Sequence, residues 1–391
     1  MNSPNIKSKL PNVETTIFTV MSQLATEHGA VNLGQGFPDF NPAPELIELT
    51  TKAMMGGHNQ YPAMAGVEEL RNTVSLKIKN LYEHSYDPAT EITITSGATE
   101  ALMVSISAFV KPGDEVVVIE PMYDLYVPAV ELAGGTVITV PMKVPKHPEE
   151  TYSIDWNAVD AALTEKTRLV ILNSPHNPTG MTLSNSDLDA LETLMERYAF
   201  IVLSDEVYEH IVFDGKHHLS LSSRPKLAER SIVVSSFGKT YHITGWKIGY
   251  CVAPSYLMTE IRKVHQFTVF TVNTPIQIAL AKYAASPQTY TGLSDFYQEK
   301  RDYLSNELLK TKLHPYRSDS TFFLLANYQN LSTLDEANFV RWLTIEKGVT
   351  VIPMCAFYKN PASAKANNNM VRLCFAKHQK TLDSAIHRLS S

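Results

Sequence analysis

Lys239 stands in Ser235-Ser236-Phe237-Gly238-Lys239-Thr240, a few residues past the buried-strand pattern Ser231-Ile232-Val233-Val234. A lysine on the polar lip of an apolar layer is kept from bulk water. Its charged form is disfavoured, its pKa falls, and its amine becomes a nucleophile toward an aldehyde or ketone. Asp205 closes the run Phe200-Ile201-Val202-Leu203-Ser204-Asp205, where an uncompensated charge costs several kcal/mol. An arginine or a helix N-cap would satisfy that carboxylate. So would a protonated pyridine nitrogen, whose ring would then act as an electron sink. Tyr208, one turn later, and Asn177 could address an oxygen on such a ring, and Tyr123 could stack on its face. Each of these aromatics taken singly fits core packing as well.

A phosphate needs backbone N–H groups at close approach, and a helix N-terminus offers them. Ser96-Gly97-Ala98-Thr99 is a small-residue turn leading into an apolar-periodic helix, Ala101 to Val110. A plain capped helix start reads the same way. Lys247, in Thr244-Gly245-Trp246-Lys247-Ile248-Gly249, could add a cation to the phosphate, and Ser236 a hydroxyl. A solvated charge and a helix-turn contact are their ordinary alternatives. For His210, His217 and His218 a polar loop is a better account than a metal site, so no metal is expected.

The elements that must carry these groups alternate. Glu91–Thr95, Glu115–Ile119, Arg168–Leu172, Phe200–Leu203 and Ser231–Val234 are short β-branched runs bounded by turn residues and separated by helical patterns. That is the signature of parallel βαβ units. In open α/β sheets the ligand lies outside the carboxyl ends of the strands, and here each run ends in the polar residues just described. Ile248–Val252 is a further strand candidate. Residues up to about Pro44 read as proline-rich and irregular, and Lys143–Thr151 as a surface loop. After Pro275 the texture changes. A long helical stretch near Pro287–Leu313, strand candidates at Thr321–Leu325 and Val371–Cys374, a helix near Glu336–Lys347 and a C-terminal helix suggest a smaller α+β unit. The expected division is a large domain over residues 45–275 and a small one from residues 1–44 and 276–391.

With 391 residues, 44% hydrophobic and 19% charged, the composition is that of a globular enzyme. A formal charge of −6 gives no basic footprint for nucleic acid. No apolar run approaches the roughly 18 residues of a membrane span, and Met1–Lys7 lacks the apolar core of a secretory signal. Cys251, Cys355 and Cys374 include no close pair. A cytoplasmic protein without nucleic-acid or membrane partners is expected.

Asn177-Pro178-Thr179-Gly180, Ser204-Asp205-Glu206-Val207-Tyr208 and Ser236-x-x-Lys239 followed by Lys247 together make the chain recognisable. Over nearly its whole length it resembles fold-type I pyridoxal-phosphate enzymes of the class I/II aminotransferase family. Leu33–Phe40 and Ser235–Trp246 resemble the branch of kynurenine/glutamine transaminases and bacterial methionine aminotransferases, and Phe237–His242 with Tyr250–Pro254 lean toward the methionine enzymes. The resemblance implies a mostly parallel seven-stranded sheet between helices, pyridoxal 5'-phosphate as cofactor, and a homodimer with shared sites. It implies that Lys239 carries the cofactor and shuttles a proton, Asp205 pairs with the ring nitrogen, and Asn177 and Tyr208 address the ring oxygen. Gly97, Ala98, Thr99, Ser236 and Lys247 would hold the phosphate, with Tyr123 on the ring face. Arg372 would fork onto the substrate carboxylate beside the Gly36 backbone N–H, and Tyr61 would reach the neighbouring subunit's phosphate. Lys247 stands where arginine is more usual, and Tyr123 where Trp or Phe is.

Substrate preference comes from the walls. Val264–Ala285 has Lys282 as its lone Lys or Arg and is rich in Phe, Thr and Val, while Phe18, Phe37 and Tyr61 come from the N-terminal elements. Large uncharged side chains, methionine, phenylalanine, tyrosine or kynurenine, should be preferred and aspartate poor. A carbon–sulfur β-lyase of the same fold and a non-catalytic cofactor-binding regulator are the alternatives. The absence of Gly-x-Gly-x-x-Gly after a strand argues against a nicotinamide enzyme.

Overall fold

In the computed structural model, which describes residues 6–390, the β-branched runs form a sheet buried on both faces. Its strands lie in the order Ile92–Thr95, Gly249–Val252, Ser231–Ser235, Ile201–Asp205, Thr167–Asn173, Glu115–Glu120 and Thr136–Pro141. Gly249–Val252 pairs antiparallel with both of its neighbours, and the remaining pairs are parallel. Alternate side chains serve opposite layers, as the period of two requires. Val116 and Val118 join Leu102 and Ile106 of helix Gly97–Phe109 and Leu257 and Ile261 of helix Ser255–Thr268. Val117 and Ile119 belong to the other layer, with Leu188 and Leu191 of helix Asn185–Arg197 and Val74 and Ile78 of helix Glu68–Tyr82. Covering both faces is why these strands read as near-continuous apolar runs. Each fully buried Val or Ile contributes about 1.5–3 kcal/mol.

A second sheet is antiparallel, with strands Ile352–Pro353, Met370–Cys374, Phe323–Asn327 and His314–Pro315 in that order. The N-terminal segment joins this part of the chain. Val31–Asn32 pairs in parallel with Val349–Thr350, and the Cys374 N–H donates to the Leu33 carbonyl at 2.7 Å.

Three features differ from the sequence expectation. Residues 17–27 are helical, not irregular: Ile17–Glu27 is an 11-residue helix capped by the Thr16 hydroxyl, lying in a proline-free stretch between proline-rich flanks. The strand Thr136–Pro141 occupies a sheet edge, where partial exposure dilutes its apolar signal. The helical stretch near 287–313 is two pieces, Gln288–Thr291 and Leu293–Leu308, meeting at Gly292. In addition, the expected boundary at residues 275–276 falls inside helix Thr274–Tyr283, which packs on helices Pro44–Met55 and Glu68–Tyr82.

Candidate active site

The carboxyl ends of the parallel strands open onto a cavity of about 210 Å³. Strand Thr167–Asn173 and strand Ile201–Asp205 end side by side, Asn173 opposite Asp205. The Asn173 amide nitrogen donates to the Asp205 carbonyl at 2.8 Å, and its Oδ1 accepts the Asn177 N–H at 2.8 Å. One side chain thereby sets both the strand end and the turn beyond it. The Asp205 carboxylate is buried, and its hydrogen-bond partners are neutral: the Tyr126 hydroxyl at 2.7 Å and the Val207 N–H at 3.4 Å. Burial raises its pKa to about 6 against the lowering effect of those bonds.

Lys239 follows strand Ser231–Ser235 in the short helical turn Phe237–Thr240. Its ammonium donates to the Gly36 carbonyl at 3.0 Å and lies 5.5 Å from the Tyr208 ring centre and 5.2 Å from that of Phe322. Burial lowers its pKa to about 8; Arg372 and Lys247 push the same way, while Cys374 and Asp205 oppose. On the far side of the cavity Gly97, at φ +71°, turns the chain from strand into helix. A Cβ there would stand 3.6 Å from Lys247 Nζ, and Lys247 Nζ is 3.4 Å from the Thr99 hydroxyl. Helix N-terminal amides, a hydroxyl and an ammonium are thus gathered in one place.

Gly97, Ala98, Thr99, Tyr123, Asn177, Asp205, Tyr208, Ser236, Lys239 and Lys247 all line this cavity. Arg372 stands just behind it. Its Nη1 donates to Asn177 Oδ1 at 2.7 Å, its Nη2 to the Gly34 carbonyl at 2.9 Å, and its buried Nε lacks a partner. The guanidinium lies 3.9 Å from the Phe323 ring centre, with Phe357 and Phe18 at 4.9 and 5.3 Å. Burial lowers its pKa to about 10. Gly36 lies against this group, since a Cβ there would meet Phe323 and approach Arg372 Nη2. Phe37 is 43% exposed, with the Lys377 ammonium 5.1 Å from its ring centre. Tyr61 does not reach the cavity. It is 82% exposed, edge-on to Phe270, in a separate open groove with Met54 and Met55. Of the three histidines, His210 lies beside Lys77, His218 bonds Glu206 at 2.7 Å, and His217 is on the surface.

Sequence reasoning misses three groups here. Tyr126 has only the repeated tyrosine of Tyr123-Asp124-Leu125-Tyr126 as a signal. Asn173 reads simply as the end of a strand. Beneath the cavity, Glu209 accepts from Lys77 Nζ at 2.7 Å, Tyr82 at 2.7 Å, Tyr250 at 3.0 Å and the Ser235 hydroxyl. Lys77 and its neighbours hold the Glu209 carboxyl well below the usual carboxylate range despite burial, and burial with Lys77 keeps His210 neutral, at about 3.

These residues fit pyridoxal phosphate. A buried carboxylate with neutral partners awaits a cationic ring nitrogen, a depressed lysine faces it, and an amide-rich turn with Lys247 suits a phosphate. The fold and this donor set define a fold-type I pyridoxal-phosphate enzyme. The family model for aminotransferase class I and II matches residues 28–389, and the chain belongs to that family: it is a pyridoxal-phosphate-dependent aminotransferase. It is 47% identical over 390 residues to methionine aminotransferase of Escherichia coli, covering 99% of each chain. Human kynurenine–oxoglutarate transaminase 3 is 33% identical, over 96% of this chain and 88% of that one. Among solved structures, an Escherichia coli protein reported to have a methionine aminotransferase function superimposes with a TM-score of 0.94 at 46% identity, covering 99% of this chain and 100% of that one. N-succinyldiaminopimelate aminotransferase from Mycobacterium tuberculosis also gives 0.94, at 39% identity and 98% and 99% coverage.

Proposed function

We propose that this aminotransferase takes its amino group from a large uncharged amino acid, methionine foremost and aromatic amino acids or kynurenine after it. A 2-oxo acid accepts the group in a second, alternating half-reaction. The observation that carries this reading is Arg372: a buried guanidinium with neutral acceptors, a partnerless Nε, and walls made of the Phe18, Phe323 and Phe357 rings. It is built to take one carboxylate, the α-carboxylate, in an apolar setting. The cations lining the neighbouring cavity, Lys239 and Lys247, serve the cofactor, which leaves none there for a side-chain carboxylate. Similarity to methionine aminotransferase supports methionine as a donor.

When bound, pyridoxal phosphate supplies a ring that accepts the electron pair left by loss of the α-proton. Lys239 would hold the cofactor, and its Nζ, when neutral, would take the substrate's α-proton and hand it back. Asp205, ionised at neutral pH with Tyr126 donating to it, keeps the ring nitrogen protonated. Tyr208 and the Nδ2 amide of Asn177, whose Oδ1 is committed to Arg372, address the ring oxygen. Gly97, Ala98, Thr99, Ser236 and Lys247 hold the phosphate, and Tyr123 covers the ring. Gly36 and Phe18 border the substrate, with Phe37 at the exposed mouth.

Tyr61 is assigned to the site of a second subunit in a homodimer. Its exposure away from the cavity, together with that of Met55 and Phe267 (both 85% exposed), supports this. In place of the expected boundary we propose a large unit ending after helix Thr274–Tyr283 and a small unit built from the described residues before helix Pro44–Met55 and the C-terminal third, supported by the pairing of Val31–Asn32 with Val349–Thr350. We place the enzyme in the cytoplasm on its three unpaired, buried cysteines. Among the described residues no helix is long and apolar enough to cross a membrane.

The test is the visible absorbance of the purified protein with methionine and no oxo acid. Bleaching, with recovery on adding a 2-oxo acid, is expected, and aspartate should act far more slowly. Aspartate outpacing methionine would overturn the substrate reading. Ammonia release in place of transfer would favour the lyase.

A further inference from the structure

Helix Ser255–Thr268 passes behind the turn at Gly97 and carries His265, which is fully buried. Both of its ring nitrogens face oxygen. Nδ1 is 2.8 Å from Glu100 Oε1, and Nε2 is 3.0 Å from the Met64 carbonyl. Glu100 lies in the first turn of helix Gly97–Phe109, 8% exposed, and its other oxygen accepts the Ser96 N–H at 3.0 Å. His265 thereby bridges Glu100 and the Met64 carbonyl and clasps three segments: its own helix, the Ser96–Gly97 turn, and the stretch after Tyr61. That stretch is tied down at neighbouring points, since Ile94 N–H donates to the Ala65 carbonyl at 3.0 Å and the Thr271 hydroxyl to the Ala63 carbonyl at 3.2 Å.

Neither His265 nor Glu100 lines the cavity, so both act through Ser96. The hazard they manage is electrostatic. The first amides of a helix attract any nearby anion, and Glu100 is an anion on that same first turn. Released, its carboxylate would swing toward the amides that face the cavity and contest them with a phosphate. The hydrogen bond from His265 Nδ1 holds Oε1 on the far side of the turn.

We propose that His265 is a positioning residue for phosphate binding: it restrains Glu100 so that the amides of Gly97–Thr99 stay open to the phosphate of the cofactor. This rests on the assignment of that turn and Lys247 to the phosphate. The experiment compares the dissociation constants of pyridoxal phosphate and of unphosphorylated pyridoxal for the full chain stripped of cofactor. The pyridoxal constant divided by the pyridoxal phosphate constant isolates the phosphate's share. In His265→Phe the ratio falls about tenfold or more, the size of a lost charge-assisted hydrogen bond. In His265→Phe/Glu100→Gln most of it returns, because the amide still accepts from Ser96 but no longer competes as an anion. His265→Gln, the gentler change, falls between wild type and His265→Phe and serves if the phenylalanine variant does not fold. Lys247→Ala separates the two levels. A ratio unmoved by Lys247→Ala overturns the phosphate assignment itself. A ratio lowered by Lys247→Ala but unmoved in the folded His265 variants, or a loss equal for both ligands, overturns the role of His265 alone.

Discussion

An amine attacks an aldehyde only when neutral, so the burial of Lys239 has a measurable consequence in the chain stripped of cofactor. Its pKa is lowered from 10.5 to about 8. At pH 7 a group titrating near 8 is roughly 9% neutral, whereas a solvated lysine near 10.4 is only ~0.04% neutral, a difference of about 200-fold. The rate of cofactor uptake, followed by stopped-flow absorbance from pH 6 to 10 under excess pyridoxal phosphate, should rise about tenfold per pH unit below 8 and level off above it. The aldehyde's own titration is removed by running the same series with a simple alkylamine. Because Arg372 pushes Lys239 downward, Arg372→Gln should move the inflection to higher pH. The sign for stability is equally definite. The folded pKa lies below the unfolded one, so protonated Lys239 opposes folding below about pH 8, and that cost is relieved as pH rises from about 8 toward 10.4. A rate still climbing tenfold per unit beyond pH 9.5 would show that Lys239 titrates as a solvated lysine, and the burial reasoning would fail.

Tyr126→Phe removes the strongest bond holding the Asp205 carboxyl down, so its pKa should climb above about 6. The acid limb of the kcat profile should move up with it, and kcat at pH 7 should drop roughly tenfold with little change in KM; an unmoved limb would contradict the link. Lys77→Met strands the buried Glu209 carboxylate and should cost about 3–5 kcal/mol in chemical denaturation. Lys77→Met/Glu209→Gln should recover most of that, and additive losses would dissolve the pair. Gly249→Ala would place a Cβ 2.7 Å from the Ser235 carbonyl and 2.9 Å from the Ala98 nitrogen. Backbone must then shift, so a loss of about 1–3 kcal/mol and weaker cofactor binding are expected in thermal melts and titration, and a neutral outcome would mean the strand ends yield more than their packing allows.

What the sequence shows plainly is local. Apolar runs ending in Ser96-Gly97, Asn173, Asp205 and Ser235-Ser236 announce strand ends, and strand ends of parallel units must gather on one edge. Lys239 and Asp205 can therefore be paired from the chain alone. The support behind them stays hidden, because its partners lie far apart in the chain. Lys77 and Glu209 are 132 positions apart, and Glu100 and His265 are 165 apart. Neither pair sits in a motif, and each residue alone resembles a surface charge. Helix Ile17–Glu27 is hidden differently, by the prolines on either side, which lend an irregular look to residues that contain none.

Strand Gly249–Val252 runs against both of its neighbours, and this single reversal has a topological effect. For the other strands that border the cavity, the segment after the strand reaches it. Here the segment before the strand does. The chain leaves that edge after Ser235 and returns to the same edge at Gly249, so residues 236–248 form a closed excursion with both feet planted on adjacent strands. The amine of Lys239 and the ammonium of Lys247 are two stations on that one loop. An insertion or deletion between them would change their separation while leaving the sheet untouched, so the spacing between Lys239 and Lys247 is a ruler set by the loop itself.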